Sequence, residues 1–378
     1  MEKVAIIGVA QTKYQRNSPS SHDEMAFEVT EKALADAGLS IENIDNTITC
    51  TNDFWDGRTI SCETITDATG SSKVPTTNVE GDGTYGVLMG LMRILSGHFE
   101  TTLIVAQSKG SVGVPGLITN AIFDPLYERM LGLDAINSAA LQARRYMTKY
   151  GVTEEQFAKV SVKNHKNAKN NPYAQLPLDL TVKDVLNSKI LADPIKLLDT
   201  SPISDGACAV ILARESVAKK GMKRPVWIKG VGHCTDSYHL SDRDLADVSA
   251  LKAAAQKAYG MAGITQPRKE IGLAEVYDAF SYMELMWMEG LGICEQGEGG
   301  RMIDSGMTEM NGSLPVNPSG GVLSAHPVLA AGLARVAEVV LQLRGEGGAR
   351  QVDRAGAGLA HGIEGACGQG HCVLIFEK

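Results

Sequence analysis

Short apolar runs and longer amphipathic runs alternate along the first hundred residues of this chain. Residues 4–9 are apolar without interruption, a pattern that predicts a strand buried on both faces. Residues 25–37 carry apolar side chains at helical spacing and are followed by a glycine, which commonly ends a helix. Residues 44–50 and 103–106 predict two further strands, and residues 84–95 predict a helix between them. This order of elements indicates an α/β protein.

The same order returns in the second half of the chain. Residues 226–232 predict a strand, and residues 250–262 predict a helix with Ser249 as its N-cap. Residues 282–290 predict another helix, and residues 372–376 predict a terminal strand. Two halves with the same succession of strands and helices indicate an internal duplication.

A segment of different composition interrupts the first half. Residues 114–191 are rich in Asn, Lys, Tyr and Pro, which indicates a long, partly helical excursion over the core. We therefore expect an N-terminal half that combines residues 1–113 with residues 192–220. The insertion covers residues 114–191, and the C-terminal half covers residues 221–378.

Composition narrows the class of protein further. A net charge of −8 disfavours nucleic acid or an anionic membrane as the main partner. No apolar run approaches the ~20 residues that a membrane-spanning helix needs, and the chain starts with a strand pattern rather than a signal peptide. Seven cysteines without a regular spacing predict reduced thiols, so we expect a cytoplasmic protein. Residues 367–372 contain two cysteines and a histidine, which core packing explains better than a metal site.

The most distinctive stretch is the sequence Asn-Pro-Ser-Gly-Gly at residues 317–321, followed by His326 and an apolar helical run. Gly320 and Gly321 permit tight, positive-φ backbone close to a ligand. His326 stands just before a helix that we expect to be buried, where an imidazole can transfer protons near neutral pH. A single histidine is more often structural, but its neighbours in this stretch favour a functional role.

Five segments together resemble the thiolase superfamily, most closely its sterol-carrier-protein-2-type and archaeal branch. They are residues 4–12, 201–207, 276–280 and 317–327 and the Gly-rich turn near the C-terminus, and the resemblance covers essentially the whole chain. It implies a thiolase fold, in which two duplicated α/β/α/β/α halves form a five-layered core. It also implies a homodimer, a coenzyme A thioester as substrate or product without a permanently bound cofactor, and an insertion that covers the coenzyme A. Members of this branch often pair with a small subunit that carries a zinc ribbon and an OB-fold.

The nucleophilic cysteine of this family is missing from the chain. In the family it stands at the N-terminus of a buried helix. Alignment without gaps places Glu80 there, a small gap would place Gly83 there, and the sequence has no cysteine between Cys62 and Cys208. Ordinary acyl-enzyme chemistry is therefore not expected at this position. If Glu80 is buried as the cysteine would be, it should act as a general base near neutral pH.

Four other positions carry the chemistry that the resemblance implies. Tyr277 stands where an Asn or His of the family helps to hold a water or the thioester oxygen, and His326 keeps the family histidine. Glu364 replaces the C-terminal cysteine that serves as acid and base in biosynthetic thiolases. His361 matches the histidine of a His-Asn motif, whose Asn is replaced by Gly362. Three residues are further assigned to coenzyme A binding: Ser204, Gly320 and Gly321.

Loss of the thiol removes covalent acyl transfer but leaves the stabilisation of an enolate oxygen. Together with a general base, this suits retro-aldol cleavage of a β-hydroxyacyl-CoA, and the chain partly resembles cysteine-less thiolase-like aldolases of steroid breakdown. Two alternatives stay open. In the first, the protein is an unusual thiolase or acyltransferase in which free coenzyme A attacks a β-ketoacyl-CoA. In the second, it is a non-catalytic subunit of a complex.

Overall fold

The computed structural model describes residues 2–220, 224–353 and 356–378. The strands are β1 Val4–Gln11, β2 Thr47–Cys50, β3 Thr76–Asn78, β4 Thr101–Lys109, β5 Ile190–Ala192, β6 Ile195–Lys196, β7 Asp205–Arg214, β8 Val226–Thr235, β9 Leu273–Glu275, β10 Ala357–Glu364 and β11 Gly370–Glu377. The helices are α1 His22–Ala37, α2 Asp53–Asp56, α3 Gly83–Leu95, α4 Pro115–Asn120, α5 Ala135–Tyr150, α6 Glu154–Ala168, α7 Val182–Leu186, α8 Glu215–Ala218, α9 Ser249–Ala262, α10 Pro267–Glu270, α11 Ser281–Gly290, α12 Gly299–Asp304, α13 Gly321–Ser324 and α14 Ala331–Arg344.

In the described parts of the chain, nine strands form one mixed sheet in the order β3-β2-β4-β7-β1-β8-β11-β10-β9. The pairs β2–β3, β2–β4 and β9–β10 are parallel, and the other pairs are antiparallel. Read outward from the centre, β1, β7, β4 and β2 correspond to β8, β11, β10 and β9. A bridge between Ala274 and Val316 takes the place that β3 has in the first half. This symmetry is what the predicted internal duplication requires.

The helices arrange the two halves of the sheet into layers. α3 and α14 pack against each other, and both contact strands of the two halves. Apolar side chains of α1 pack on the outer face of the first half, and those of α9 pack on the outer face of the second half. The result is an α/β/α/β/α arrangement with α3 and α14 in the middle, which confirms the predicted fold class.

The insertion lies mainly against the second half. Its helix α6 packs against α11, α12 and α13. The partly helical character that its composition predicts is confirmed by α4 to α7. Its exact boundaries, residues 114 and 191, stay a prediction, and residues 221–223 at the predicted start of the C-terminal half lie outside the described residues.

Two details of the predicted elements are wrong. Ser249 is the first residue of α9 rather than its cap, because Val248 occupies the N-cap position without a side-chain hydrogen bond. The helix expected directly after His326 begins only at Ala331, because a turn closed by a hydrogen bond from Ala330 N to Pro327 O precedes it. No helix within the described ranges is long and apolar enough to cross a membrane.

Candidate active site

A cavity of about 630 Å³ is lined by both halves of the molecule and by the insertion. Its wall combines the start of α3, the end of β10, the residues after β9 and the start of α5. The apolar part of the wall includes Trp55, Ile136, Phe280 and Met283. A cavity of this size and apolar character is typical of a site for a small organic group.

His326 and Tyr277 form a hydrogen-bonded pair on the cavity wall. The Tyr277 hydroxyl lies 2.8 Å from Nε2 of His326, and the two rings meet edge to face with centroids 5.6 Å apart. The other ring nitrogen, Nδ1, lies 2.9 Å from Oγ of Ser201. Ser204 fixes the main chain of His326, because its hydroxyl accepts the His326 N–H at 2.8 Å and its own N–H donates to the His326 carbonyl at 3.2 Å. The orientation of the imidazole is therefore set through both ring nitrogens and the backbone.

Burial sets the protonation state of this pair. Burial, with a smaller contribution from Arg335, lowers the pKa of His326 to about 4. Burial and then the Asp82 carboxylate raise the pKa of Tyr277 well above its ordinary value. Near neutral pH the imidazole is therefore uncharged and the phenol keeps its proton. The pair can offer a hydrogen-bond donor to an oxygen of a bound molecule.

Asp82 is a buried carboxylate at the N-cap of α3 and lines the cavity. Its Oδ1 accepts the Thr84 N–H at 3.0 Å and the Thr84 hydroxyl at 2.6 Å, and its Oδ2 accepts the Gly332 N–H at 2.8 Å. The pKa of Asp82 is raised to about 6. Burial is the largest cause and the charge of Glu364 adds to it, whereas the hydrogen bonds from Thr84 and Gly332 oppose the rise. A carboxylate has about four lone-pair positions, so three donors leave one position for a proton from another molecule.

Asp82 fills space that Gly362 leaves open. A Cβ at Gly362 would lie 2.3 Å from Oδ1 of Asp82 and 2.1 Å from Oγ1 of Thr84. The resemblance places an Asn of the family at this position, and no such side chain fits here beside the Asp82 carboxylate. Two departures from the family pattern, the loss of the Asn and the loss of the cysteine, thus meet at one point of the structure.

Glu364 is the second carboxylate on this part of the wall. It is the last residue of β10 and is half-buried. Its Oε2 lies close to the chain before α3, because a Cβ at Gly81 would be 2.7 Å from this oxygen. Burial raises the pKa of Glu364. The charge of Glu364 in turn contributes to the raised pKa of Asp82.

Glu80 lines the cavity, but it is exposed. Its Oε1 accepts a hydrogen bond from Nδ2 of Asn52 at 2.7 Å. The condition that Glu80 is buried at the N-terminus of the helix is not met, because α3 begins at Gly83, the residue that an alignment with a small gap places there. Asp82 is the N-cap of this helix. Asp82 was not predicted, although an Asp followed by a helical pattern is a recognisable N-cap signal.

His361 lies in β10 and is buried behind the described cavity wall. Its Nε2 is 3.1 Å from Nδ1 of His371, and the two rings are stacked. Its Nδ1 accepts the Tyr277 N–H at 3.5 Å. Burial, and then His371, lower the pKa of His361 well below its ordinary value. The structure therefore gives His361 a contact with the backbone of Tyr277 rather than the direct place in the cavity that its predicted role requires.

Gly320 and Gly321 adopt φ angles of 95° and 67°, as their sequence predicts. Their close neighbours are protein groups, since a Cβ at Gly320 would lie 2.7 Å from Cβ of Ala168 and a Cβ at Gly321 would lie 2.3 Å from Oδ2 of Asp278. Neither glycine belongs to the described cavity wall, and neither does Ser204. The structure thus gives the three residues assigned to coenzyme A binding partners within the protein.

Buried charges hold the segment 317–321 in place. Nζ of Lys163 donates to Val316 O at 2.8 Å and lies 2.6 Å from Oε1 of Glu284. Nδ2 of Asn317 donates to Oε2 of the same glutamate at 2.8 Å. The segment that leads to His326 is therefore anchored to α6 and α11 by a buried ion pair.

The substitution Gly83→Cys tests whether a thiol can be restored at the helix start. A Cβ at Gly83 would lie 2.5 Å from Cβ and 3.1 Å from N of Leu333, so the new side chain requires α14 to shift. We expect a loss of about 1–3 kcal/mol in the free energy of unfolding and no gain of acyl-enzyme formation. Denaturant unfolding and mass spectrometry after incubation with a β-ketoacyl-CoA measure the two outcomes.

The matched control for Gly83→Cys is Gly260→Cys. Gly260 lies in α9, and no atom lies within 4 Å of the position that a Cβ would take there, so this change should leave stability within about 0.5 kcal/mol. An unchanged stability of both variants would contradict the close packing of Gly83.

The part of the chain that the structure describes contains no candidate metal site. There, no three His, Cys, Asp or Glu side chains are placed to hold a metal ion. Within residues 367–372, Cys372 is fully buried in β11, with its Sγ 3.7 Å from Thr84 O. Core packing accounts for it.

Comparison with known proteins agrees with this fold. Residues 4–216 match the family described as thiolase, N-terminal domain, and residues 232–378 match the thiolase C-terminal domain-like family. The chain is 40% identical over 390 residues to an acetyl-CoA acetyltransferase of Methanothermobacter thermautotrophicus, with 100% of both chains covered. It is 34% identical over 392 residues to sterol carrier protein 2 of Homo sapiens, covering 97% of this chain and 71% of that one.

A solved structure extends the comparison. The Ltp2-ChsH2(DUF35) aldolase matches with a TM-score of 0.85 and 26% identity, covering 98% of this chain and 97% of that chain. These relatives confirm the resemblance to the sterol-carrier-protein-2-type and archaeal branch. The chain belongs to the thiolase superfamily.

Proposed function

We propose that this protein cleaves the C–C bond of a β-hydroxyacyl-CoA by a retro-aldol reaction. The observation that carries the proposal is the buried carboxylate of Asp82 at the start of α3, in the same cavity as the Tyr277–His326 pair. A base and an enolate-stabilising donor are what this reaction needs, and it needs no nucleophile. The similarity to an aldolase of the same superfamily supports the same reaction class.

Tyr277 and His326 hold the thioester end of the substrate in this proposal. When the C–C bond breaks, the electron pair moves onto the thioester oxygen and forms an enolate. The phenol of Tyr277 donates a hydrogen bond to that oxygen, and its raised pKa keeps it protonated for this purpose. For this, Nε2–H of His326 donates to the phenol oxygen at 2.8 Å and the Ser201 hydroxyl donates to Nδ1 at 2.9 Å. The single phenol proton then turns from Val328 O, 3.3 Å away, to the substrate oxygen.

Asp82 serves as the base. It accepts the proton of the β-hydroxyl group as the bond between the α and β carbons breaks, and an aldehyde or ketone is released. A pKa of about 6 leaves the carboxylate mostly ionised at pH 7 and still basic enough to be effective. The proton neutralises Asp82 while the enolate charge forms, so the net charge of the site does not change in this step.

Glu364 returns a proton to the α carbon of the enolate, which gives the shortened acyl-CoA. Burial raises the pKa of Glu364, so it accepts a proton more readily than an exposed carboxylate, and the proton that Asp82 took from the hydroxyl group passes to it directly or through solvent. Once Glu364 has delivered this proton to the α carbon, both carboxylates are ionised again and the site is restored. This role corresponds to that of the C-terminal cysteine which the resemblance assigns to this position.

Acyl transfer from a β-ketoacyl-CoA is the second candidate, because the archaeal relative at 40% identity is an acetyl-CoA acetyltransferase. In that reaction free coenzyme A attacks the ketone. Cys367 is a cysteine on the described cavity wall, but burial raises the pKa of its thiol to about 11, which disfavours a nucleophilic thiolate. The third candidate, a non-catalytic subunit, gives no reason for two carboxyl groups with raised pKa on the wall of one cavity.

The products distinguish these functions. The purified chain is incubated with a β-hydroxyacyl-CoA without free coenzyme A, and separately with a β-ketoacyl-CoA plus coenzyme A. Retro-aldol cleavage gives one shortened thioester and a carbonyl compound in the first mixture. Thiolase chemistry gives two thioesters in the second mixture only. An absence of products from both mixtures, with and without a partner subunit, would support the non-catalytic function.

The proposed assembly is a homodimer in the cytoplasm, with a small zinc-ribbon and OB-fold subunit as a further partner. A DUF35 component is part of the name of the similar aldolase, which supports a partner of this kind. Large apolar side chains of the insertion are also exposed, as expected of a surface that another chain covers. Those more than 70% exposed are Leu117, Leu126, Tyr127, Met130 and Leu131.

The proposed base predicts a pH dependence. We expect kcat/KM for retro-aldol cleavage to fall as the pH is lowered through about 6, because protonated Asp82 cannot accept the hydroxyl proton. Initial rates at low substrate concentration between pH 5 and pH 8 measure this limb. A profile that stays flat across pH 6 would contradict the assignment of Asp82.

A further inference from the structure

The charge distribution on the cavity wall is strongly one-sided. Among the described lining residues there is no lysine and no arginine, whereas four carboxylic acids contribute to the wall. They are Glu80, Asp82, Asp134 and Glu364. Any group that enters the cavity therefore meets like charge if it is an anion and finds no cation to pair with.

The rest of the wall is apolar. Phe280 and Met283 belong to the buried apolar core of the second half, and Ile136 and Ile363 pack against the same core. On the other side, Ile203 and Trp55 both approach Gly110, where a Cβ would lie 2.7 Å and 3.6 Å from them. An apolar group that binds in the cavity is therefore stabilised by burial against apolar surface. An anion finds only uncharged polar groups to offset its charge.

We infer that the acyl site selects uncharged, apolar acyl groups and excludes acyl groups that carry a second carboxylate. This inference rests on the proposed acyl-CoA site and names its substrate class. A terminal methyl group exchanges water for apolar contacts in this cavity. A terminal carboxylate of the same chain length would lose its hydration in the presence of up to four like charges.

Asp134 is the carboxylate that can be changed with least effect on the proposed chemistry. It caps α5 through a hydrogen bond from Asn137 N to its Oδ1 at 2.8 Å, and Asn is an equally good cap. Its Oδ2 faces α4, 3.9 Å from the position of a Cβ at Gly116. Asp134→Asn therefore removes one charge from the wall and keeps the helix start.

The test compares two thioesters that differ at one end. Octanoyl-CoA and suberoyl-CoA have the same chain length, and the terminal methyl group of the first is a carboxylate in the second. Calorimetric titration of the full chain should give at least tenfold tighter binding of octanoyl-CoA. Asp134→Asn should tighten the binding of suberoyl-CoA severalfold and leave that of octanoyl-CoA within twofold. Asp179→Asn, at an exposed position outside the described wall, should change neither value.

The outcomes separate this inference from the proposed function. Equal or tighter binding of suberoyl-CoA would overturn the inference and leave the acyl-CoA site in place. Failure of both thioesters to bind would overturn the acyl-CoA site and the inference with it. Because neither ligand has a β-hydroxyl group, the result does not depend on whether the chain catalyses retro-aldol cleavage.

Discussion

Asp82→Asn should lower kcat for retro-aldol cleavage by about 10²–10⁴-fold, the contribution typical of a general base. The amide keeps an acceptor for the Thr84 N–H, but it cannot take the proton of the β-hydroxyl group. KM should change much less than kcat, because Asp82 accepts a proton only as the C–C bond breaks. The decrease of kcat/KM near pH 6 should also disappear, since the group that titrates there is gone.

Glu80→Gln is the matched control for this variant. Glu80 lines the same cavity and also precedes α3, but it is exposed and bonded to Asn52. We expect its loss to change kcat less than threefold. Thermal unfolding of both variants separates a chemical effect from a folding defect, because in the first variant the amide nitrogen replaces Oδ2 and the Gly332 N–H loses its acceptor. Equal losses of kcat would show that Asp82 is not the base.

Local sequence patterns were sufficient to predict most of the strands and helices and their repeated order. Neighbouring residues alone determine the apolar run of β1, the helical spacing of α1 and the glycine that ends α1. These elements were therefore predictable from short stretches of sequence. The repeated order of elements in the two halves also predicted the duplication that the sheet displays. Ser249 was misplaced because N-cap preference differs little between adjacent positions when no side-chain bond forms.

The candidate site was only partly predictable, because it depends on contacts between distant residues. His326 and Tyr277 were found through their motifs, and the structure joins them across 49 positions. Glu80 was assigned and Asp82 was missed, because the alignment left the start of α3 open between Glu80 and Gly83. The space that Gly362 leaves for Asp82, 280 positions away, has no signal in either local sequence.

The segment 317–321 illustrates the same limit. Its glycines predicted the tight backbone, and the neighbours that require this backbone come from α6 and from Asp278, which no local pattern shows; the assignment to coenzyme A stays a prediction. The lysines of the insertion have no periodic pattern that marks Lys163 as buried. Only the fold brings Lys163 to Glu284 and makes the pair part of the support for His326.

Lys163→Met should cost about 3–5 kcal/mol in the free energy of unfolding, the range found when one partner of a buried ion pair is removed. The side chains of Lys163 and Glu284 are both fully buried and lie 2.6 Å apart, so the methionine leaves the carboxylate without its cation. Denaturant unfolding measures the change.

Lys159→Met, one turn earlier on α6 and in exposed pairs with Glu155 and Asp304, should cost only about 0–1 kcal/mol. Adding Glu284→Gln to Lys163→Met should recover part of the loss, because it removes the unpaired charge. Equal costs for the two lysine variants, or no recovery in the double variant, would mean that the buried pair does not anchor the segment that carries His326.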